Sequence, residues 1–414
     1  MPPSDGVQPS APGALDGIRV VDLTRVLAGP FCTQLLADYG AEVIKIERPG
    51  IGDDTRRWGP PYLQGVDGED TTESTFYLSA NRNKRSVTID ISRPEGRDLI
   101  VRLLEDADVL IENYRVGALG RYRLGYDDLK GEFPKLVYCS ITGFGQTGPY
   151  AARPGYDLMA QGLGGIMSVT GEPDGQPMKV GIGIADIMTG MYATSAILAA
   201  IHHRTVTGKG QCIDMALLDS QVAWLSSSGQ NYLTSREPVS RFGNAHPNIV
   251  PYQVFPSADG HVVIAAGNDT QFQRLCAFAG LPELVDDERF ATNEARVRNR
   301  DALIAIIEAA VARHPSAYWL EGLEGVKVPT CPINSVADVF ADPQVRHRGM
   351  EIALPHPSTK TPVDLIASPI KMSETAPEYT RAPPTLGQHT AEVLGEILGL
   401  GADEVAALKS NGVV

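Results

Sequence analysis

The sequence predicts an α/β fold with a Rossmann-like parallel sheet in a large domain and a smaller α+β domain beside it. Strand-like apolar runs recur through the first half of the chain with helical segments between them, which is typical of a parallel sheet. The first β-loop-α-β unit spans about 30 residues, the usual size of a βαβ motif. The length of 414 residues allows two or three domains.

The predicted elements follow from these patterns in chain order. Strands are expected at 18–23, 41–47, 85–91, 109–112, 136–141 and 211–215, and helices at 31–39, 93–107, 187–204 and 216–232. Gly40 directly follows the first helix, as a terminating glycine does. The glycine fingerprint of dinucleotide-binding sheets is missing from the first turn, so the sheet does not imply a nicotinamide cofactor.

Composition changes along the chain suggest five segments. Residues 1–14 are rich in Pro, Ser and Gly and are expected to be a disordered leader. Residues 15–232 would form the large domain, 233–249 a polar linker, 250–334 the small domain, and 335–414 a return linker and the C-terminal part of the large domain.

The overall charge excludes some partners. A formal net charge of -14 argues against duplex nucleic acid or an anionic membrane, because both attract basic surfaces. The apolar stretch 182–201 contains acidic, hydroxyl and small residues and does not resemble a membrane span. The leader has no signal-peptide pattern, so a cytoplasmic location is expected, or a mitochondrial one if the chain is a processed form.

Cysteine and metal chemistry are not indicated. The five cysteines are widely spaced and form no Cys-x-x-Cys pair, which suggests reduced core thiols in a cytosolic protein. Cys32 and Cys139 lie in predicted buried positions, where a thiol is inert. No His/Cys set has the spacing of a metal site, and no Gly-x-Ser-x-Gly elbow is present.

Asp186 is the candidate nucleophile. It lies in the glycine-rich apolar run 181–190, with no cation between Lys179 and His202. A carboxylate in such surroundings loses hydration, so its retention suggests a catalytic role. The alternative is a structural one, as N-cap of the helix expected from 187.

Cationic residues concentrate in the first third of the chain. Several follow predicted strands directly, at the sheet edge where α/β proteins bind ligands. We expect them to converge on a long phosphorylated ligand, although ordinary surface arginines would give the same pattern. The set comprises Arg48, Arg56, Arg57, Arg82, Lys84, Arg85, Arg115, Arg121 and Arg123.

Ordered motifs along nearly the whole chain resemble those of the class III CoA-transferase family. They include RVVDLTRVLAGPFCTQLLADYGAEVIKIERPG, NRNKRSVTIDI, VLIENYRVGALGRYRLGY, SITGFGQTGP, GYDLMAQ, the run around DIMTGMYA, RTVTGKGQCIDMALLDSQ and LGQHTAEVL. Asp186 matches the family's nucleophilic aspartate, and Tyr156 and Asp157 match a pair lining its active site. The resemblance also implies an interlocked homodimer and no permanently bound cofactor.

The resemblance further implies positions that hold coenzyme A, the substrate as its thioester. These are Leu27, Ala28, Arg48, Ile89, Asp90, Ile91, Ser92, Asn113, Tyr114, Arg115 and Arg121. The implied reaction moves CoA from an acyl-CoA donor, succinyl-CoA, to a dicarboxylic acid of the glutarate or 3-hydroxy-3-methylglutarate type through an aspartyl anhydride and an aspartyl-CoA thioester. Such an aspartate is expected to be ionised at neutral pH.

Two residues of the polar segment 235–249 are candidates for the acceptor's far carboxylate. Arg241 or His246 could supply the cation that this carboxylate needs. Two other activities remain open within the family, an α-methylacyl-CoA racemase-like isomerase and a formyl-CoA:oxalate-type transferase. Tyr156 stands where the racemase branch has a histidine, and a tyrosine is a poor base near neutral pH. An acyl-CoA-binding protein without catalysis is the third alternative.

Overall fold

A computed structural model describes residues 13–414, so the predicted leader lies outside the described residues except for its last two positions. The strands are β1 (Arg19–Asp22), β2 (Glu42–Glu47), β3 (Tyr62–Gln64), β4 (Asp70–Ser74), β5 (Lys84–Thr88), β6 (Val109–Glu112), β7 (Val137–Thr142), β8 (Cys212–Ala216), β9 (Tyr252–Pro256), β10 (His261–Ala265), β11 (Thr330–Cys331), β12 (Glu351–Leu354) and β13 (Val363–Ile366).

The α-helices are α1 (Ala28–Asp38), α2 (Thr75–Leu78), α3 (Pro94–Leu104), α4 (Tyr126–Leu129), α5 (Asp157–Leu163), α6 (Ile166–Val169), α7 (Ile184–Thr207), α8 (Leu217–Ala223), α9 (Ser226–Ser235), α10 (Asp269–Phe278), α11 (Glu283–Asp286), α12 (Asn293–Arg298), α13 (Arg300–Val311), α14 (Ser316–Gly325), α15 (Val336–Ala341), α16 (Pro343–His347), α17 (Thr390–Leu398) and α18 (Ala402–Ser410). Two 3₁₀ helices occupy Asp54–Arg57 and Leu119–Tyr122.

The chain divides into two compact units. The sheet unit contains the residues up to Gly164, then Gly181–Trp224 and Arg346–Val414, and the small unit contains Gly165–Val180 and Leu225–Val345. The sequence had suggested divisions at 232 and 334 and had kept 165–180 in the large domain. That segment joins the small unit because Arg241 binds its turn, with hydrogen bonds to the carbonyls of Glu172 and Gly175 at 3.0 and 2.7 Å.

Six parallel strands form the sheet of the sheet unit, which confirms the predicted α/β class. Their order is β5-β2-β1-β6-β7-β8. The chain leaves β1 in one direction to reach β2 and later crosses to β6 on its other side. The strand order therefore reverses between β1 and β6, and doubly wound sheets bind ligands beyond the carboxyl ends of the strands at such a point.

Side-chain alternation gives the sheet two apolar faces. Val20 packs on one face with Val43 and Val109, beneath α1 and α7, and Val21 packs on the other with α3 and α17. Parallel strands need both faces covered, since neither can be left to solvent. The last residues of the chain complete the second face, where Val413 is fully buried.

Two predicted helices differ from the observed ones. The helix expected at 216–232 is interrupted, because Ser226 has φ 47° and separates α8 from α9. A positive φ cannot continue a right-handed helix. The helix expected from 187 begins at Ile184, so Asp186 lies in its first turn and Gly183 is the N-cap residue. The prediction that Asp186 serves as N-cap is wrong.

Four of the nine cations in the predicted cluster have structural roles. Arg56, Arg82, Lys84 and Arg85 are buried and form ion pairs within the sheet unit. Ions removed from water need such partners, and these four are therefore not available to a ligand. The expectation that all the early cations converge on one ligand is wrong for these residues.

The small unit is an α+β assembly. An antiparallel sheet of order β11-β10-β9 is packed by α10, α13 and α14 around a core that includes Phe255, Phe272 and Trp319. β9 and β10 pair in antiparallel register, with Val263 opposite Val254.

Within the described residues, α7 is the one helix long and apolar enough to meet a membrane-span criterion. It packs on α1 and contributes Ala193, Ile197 and Ala200 to the core, as core helices of globular proteins do. No group of three or more His, Cys, Asp or Glu in the described part of the chain could hold a metal ion. Cys32, Cys139 and Cys276 are buried as expected, but Cys212 and Cys331 are exposed, so not all five are core thiols.

Candidate active site

A strained turn follows β1 at the point where the strand order reverses. Val26 has φ 73°, a left-handed conformation that is unfavourable for a β-branched residue. Its N–H donates to Asp53 Oδ1 at 3.2 Å. On the β6 side, the Asn113 side chain accepts from the N–H of Arg25 at 3.0 Å and donates to its carbonyl at 2.7 Å. These bonds hold the turn that leads into Leu27 at the start of α1.

A buried ion pair supports the turn from below. Lys45 Nζ lies 2.9 Å from Asp53 Oδ2 and 2.9 Å from the carbonyl oxygen of Thr24, and both charged side chains are fully buried. Because the same Asp53 carboxylate also accepts from Val26, the position of the turn depends on this pair. Removal of one partner would leave the other as an uncompensated buried charge.

Asp157 binds the first turn of α7. Its Oδ1 accepts hydrogen bonds from the N–H groups of Ala185 at 2.8 Å and Asp186 at 3.2 Å, and its Oδ2 accepts from Gln161 Nε2 at 2.6 Å. Asp157 therefore supplies the side-chain cap that Gly183 cannot. The predicted pair Asp157 and Asp186 is thus brought together by direct contact.

The Asp186 carboxylate is half-buried and has no counter-ion. Burial, with a smaller contribution from the negative charge of Asp157, raises the pKa of Asp186 to about 7. Within the described residues it has no hydrogen-bond or ion-pair partner for its carboxylate. An ordinary aspartate is ionised at neutral pH, whereas burial of this carboxyl disfavours its charged form through the loss of water.

The Asp186 side chain opens into a cavity of about 220 Å³ at the carboxyl ends of β1, β6 and β7. Of the predicted site residues, Leu27, Ala28, Asn113, Tyr114, Arg115 and Tyr156 line it. Arg25, Asp54 and Arg153 line it too, and the sequence analysis did not select them. Arg25 and Asp54 form an ion pair at 2.9 Å.

A second cavity of about 460 Å³ adjoins the first. Arg25, Asp54 and Tyr114 line both cavities. Arg48 and the segment Ile89, Asp90, Ile91 and Ser92 line the second one. Asp90 Oδ1 accepts from the N–H and hydroxyl of Ser92 at 3.0 and 2.6 Å, which lowers the pKa of Asp90. The two cavities therefore adjoin, with Asp186 lining the first and Arg48 the second, and together they are called the cleft.

Three predicted residues lie elsewhere. Arg121 lies in the 3₁₀ helix Leu119–Tyr122 and is not among the residues lining either cavity. Arg241 and His246 belong to the small unit. The Arg241 guanidinium donates to three carbonyls of the turn 172–175, and His246 Nδ1 accepts from the N–H of Asn248 at 3.0 Å.

Buried polar residues beneath the cleft escaped the sequence analysis. The local sequence around Lys45 and Asp53 does not distinguish them from ordinary charged residues in or after a strand, so their burial could not be predicted. Glu112 was seen only as a strand end. Its Oε2 accepts from the N–H of Tyr114 at 2.8 Å, and burial raises the pKa of Glu112 to about 7. These residues position the cleft segments rather than line the first cavity.

The fold and the cleft define a doubly wound α/β protein whose ligand site, at the carboxyl ends of the strands, contains a half-buried carboxylate. Comparison with known proteins refines this class. Residues 15–390 match the family model described as CoA-transferase family III. The chain belongs to this family of enzymes.

Similar proteins include curated enzymes and a solved structure. The chain is 50% identical over 389 residues to succinate--glutarate CoA-transferase of Agrobacterium fabrum, covering 94% of this chain and 97% of that protein. It is 45% identical to human succinyl-CoA:glutarate CoA-transferase over 400 residues, which is 97% of this chain and 90% of the human protein. The crystal structure of a CAIB/BAIF family protein from Brucella suis is similar with a TM-score of 0.82 and 49% identity, covering 93% of this chain and all of that chain.

Proposed function

We propose that this enzyme transfers CoA from succinyl-CoA to a dicarboxylic acid of the glutarate type, with Asp186 as nucleophile. The observation that supports this most is the pair of adjoining cavities, which are lined by a carboxylate without a counter-ion and by the cations Arg115 and Arg48. The names of the relatives supply the substrate pair.

The proposed chemistry exchanges one thioester for another. The Asp186 carboxylate attacks the succinyl carbonyl carbon and releases CoA as the thiolate, which leaves a mixed anhydride. The thiolate attacks the aspartyl carbonyl, so succinate leaves and an aspartyl-CoA thioester remains. The acceptor carboxylate attacks this thioester, and the released thiolate then takes the acceptor's acyl group and frees Asp186. No ATP and no metal enter this balance.

Local structure favours this role. A carboxylate in a partly dehydrated site is more reactive than one in water and needs only position once it is ionised. Leu27 and Ala28 begin α1, and the first N–H groups of a helix have no intrahelical partner. Such groups can stabilise an oxyanion that develops beside Asp186.

The remaining roles are part of the same proposal. We assign the adenosine and phosphates of CoA to Arg48, to the backbone of Ile89–Ser92 and to the segment 113–115. Tyr156 would line the acyl end. An interlocked homodimer and a cytoplasmic location remain predictions from the family resemblance and from the sequence.

Mass spectrometry of the intact protein tests the proposal. After incubation with succinyl-CoA, we expect a covalent adduct that localises to Asp186 and disappears when glutarate is added. Asp186→Asn should form no adduct and show no exchange, whereas Asp219→Asn, a change in the first turn of α8, should behave as the wild type.

Two outcomes would refute the proposed transfer reaction. Exchange of the α-proton in deuterated water, without an acceptor acid and without an adduct, would indicate the isomerase. Ligand binding without either reaction would indicate a binding protein.

A further inference from the structure

Arg153 is a cation without an ion-pair partner that lines the same cavity as Asp186. It lines this cavity together with Tyr156, and its guanidinium makes no ion pair within the described residues. Arg25, by contrast, is already paired with Asp54 at 2.9 Å. In the proposed reaction, the donor acyl group and the acceptor each have a second carboxylate that does not react. A site that binds them needs a cation for that second carboxylate.

Arg153 lines the cavity of Asp186 and does not line the cavity of Arg48. Four residues later comes Asp157, which binds the N–H of Asp186. Arg115, the other unpaired cation of the cavity, follows β6 beside Tyr114, a residue shared with the Arg48 cavity. Both cations line the Asp186 cavity, and neither lines the Arg48 cavity.

The guanidinium of Arg153 is oriented by stacking. Its central carbon lies 3.9 Å from the ring centroid of Tyr150, and Tyr150 itself packs edge-on against Phe144 at 5.8 Å. Stacking uses the face of a guanidinium and leaves the N–H groups at its edge free for a bidentate carboxylate.

The loop that carries Arg153 is fixed to the sheet unit. The N–H of Arg153 donates to the carbonyl of Tyr150 at 2.9 Å. Gly155 touches Gly143 so closely that a Cβ on Gly155 would lie 2.2 Å from the Gly143 Cα atom. Both glycines are needed for this backbone contact, which anchors the loop directly beyond Arg153.

We propose that Arg153 binds the non-reacting carboxylate of the dicarboxylic acyl group and thereby selects dicarboxylic over monocarboxylic substrates. This inference rests on the proposed function. It replaces Arg241 as the candidate, because three carbonyls of its own unit already engage the Arg241 guanidinium.

The test compares acyl groups with and without a second carboxylate. In Arg153→Gln, we expect the KM for glutarate to rise about tenfold or more, since a charge-assisted pair is lost. Adduct formation from butyryl-CoA, which has no second carboxylate, should keep the wild-type rate, and Arg153→Lys should restore part of the glutarate affinity. Arg313→Gln, which removes an exposed arginine of the small unit, is the matched control and should leave both reactions unchanged.

The outcomes separate this inference from the proposed function. If wild-type enzyme transfers CoA to glutarate and Arg153→Gln does so equally well, only the role of Arg153 is refuted. An equal loss with succinyl-CoA and butyryl-CoA would assign Arg153 to CoA itself and also refute it. If the wild type transfers CoA to no dicarboxylate, the proposed function fails first.

Discussion

The Asp157 carboxylate lies 3.2 Å from the backbone nitrogen of Asp186 and accepts its hydrogen bond. One side chain thereby caps the helix that carries the candidate nucleophile and places a negative charge beside it. The cap stabilises the position of Asp186, while the charge adds to burial in raising the pKa of that residue.

The first half-reaction should depend on pH through Asp186. Only the deprotonated carboxylate can attack, and its pKa in the free enzyme is about 7. We expect kcat/KM for adduct formation to fall tenfold per pH unit below about 6 and to level off above about 8. Stopped-flow or quenched mass spectrometry with succinyl-CoA measures it, and a flat profile between pH 5.5 and 8.5 would contradict the assignment.

Asp157→Asn should move this profile to lower pH. The amide oxygen can still accept from the α7 N–H groups, but the negative charge that raises the pKa of Asp186 is gone. The midpoint should therefore lie below that of the wild type. Asp157→Ala removes the cap as well and should also reduce stability by about 1 kcal/mol. An unchanged midpoint in the Asn variant would show that burial alone sets the pKa.

Asp186→Asn should stabilise the protein at high pH. The folded-state pKa of Asp186 is about 7, above that of an unfolded aspartate near 3.9. The wild type therefore loses stability as pH rises from about 4 to 7, by at most about 4 kcal/mol.

The neutral amide has no such loss, so its advantage should be absent near pH 4 and largest above about pH 7.5. Thermal melting at pH 5 and pH 8 measures the difference. A Tm gain equal at both pH values would point to packing and not to charge.

Gly190→Ala should disturb the packing of α7 on α1. A Cβ at this position would lie 2.6 Å from the carbonyl oxygen of Ala28 and 3.3 Å from the nitrogen of Cys32. The helices would have to separate, which changes the position of Asp186 relative to Ala28. We expect a loss of about 1–3 kcal/mol and a lower adduct rate. Gly131→Ala, where nothing lies within 4 Å of the added carbon, is the control.

Lys45→Met should destabilise the sheet unit and loosen the turn at Val26. The substitution leaves the buried Asp53 carboxylate without its cation, a change that costs about 3–5 kcal/mol. Lys130→Met removes a lysine paired with Asp127 on the surface, where solvent screens the pair, so this change should have little effect on stability. Urea denaturation measures the free energy of unfolding of both variants. A similar loss in the two would mean that the buried pair contributes no more to stability than the surface pair.

The predicted fold agrees with the structure where the sequence pattern is local. β6 was predicted with its observed bounds, and the other sheet strands differ by a few residues at their ends. Continuous apolar runs and the helices between them can be recognised from residues that are close together in the sequence. The interruption at Ser226 was missed because nothing in its local sequence demands a positive φ.

The sequence by itself determined the sheet strands, the candidate nucleophile Asp186 and the family, since these depend on residue order and on motifs. Only the tertiary structure decided which charged side chains have an ion-pair partner. Arg56, Arg82 and Lys84 pair with buried carboxylates and Arg85 pairs with Glu42, while Arg153 stacks on a tyrosine and keeps its charge unpaired. It also decided the state of Asp186. Burial and the charge of Asp157 raise its pKa, and both depend on residues that meet only when the chain is folded.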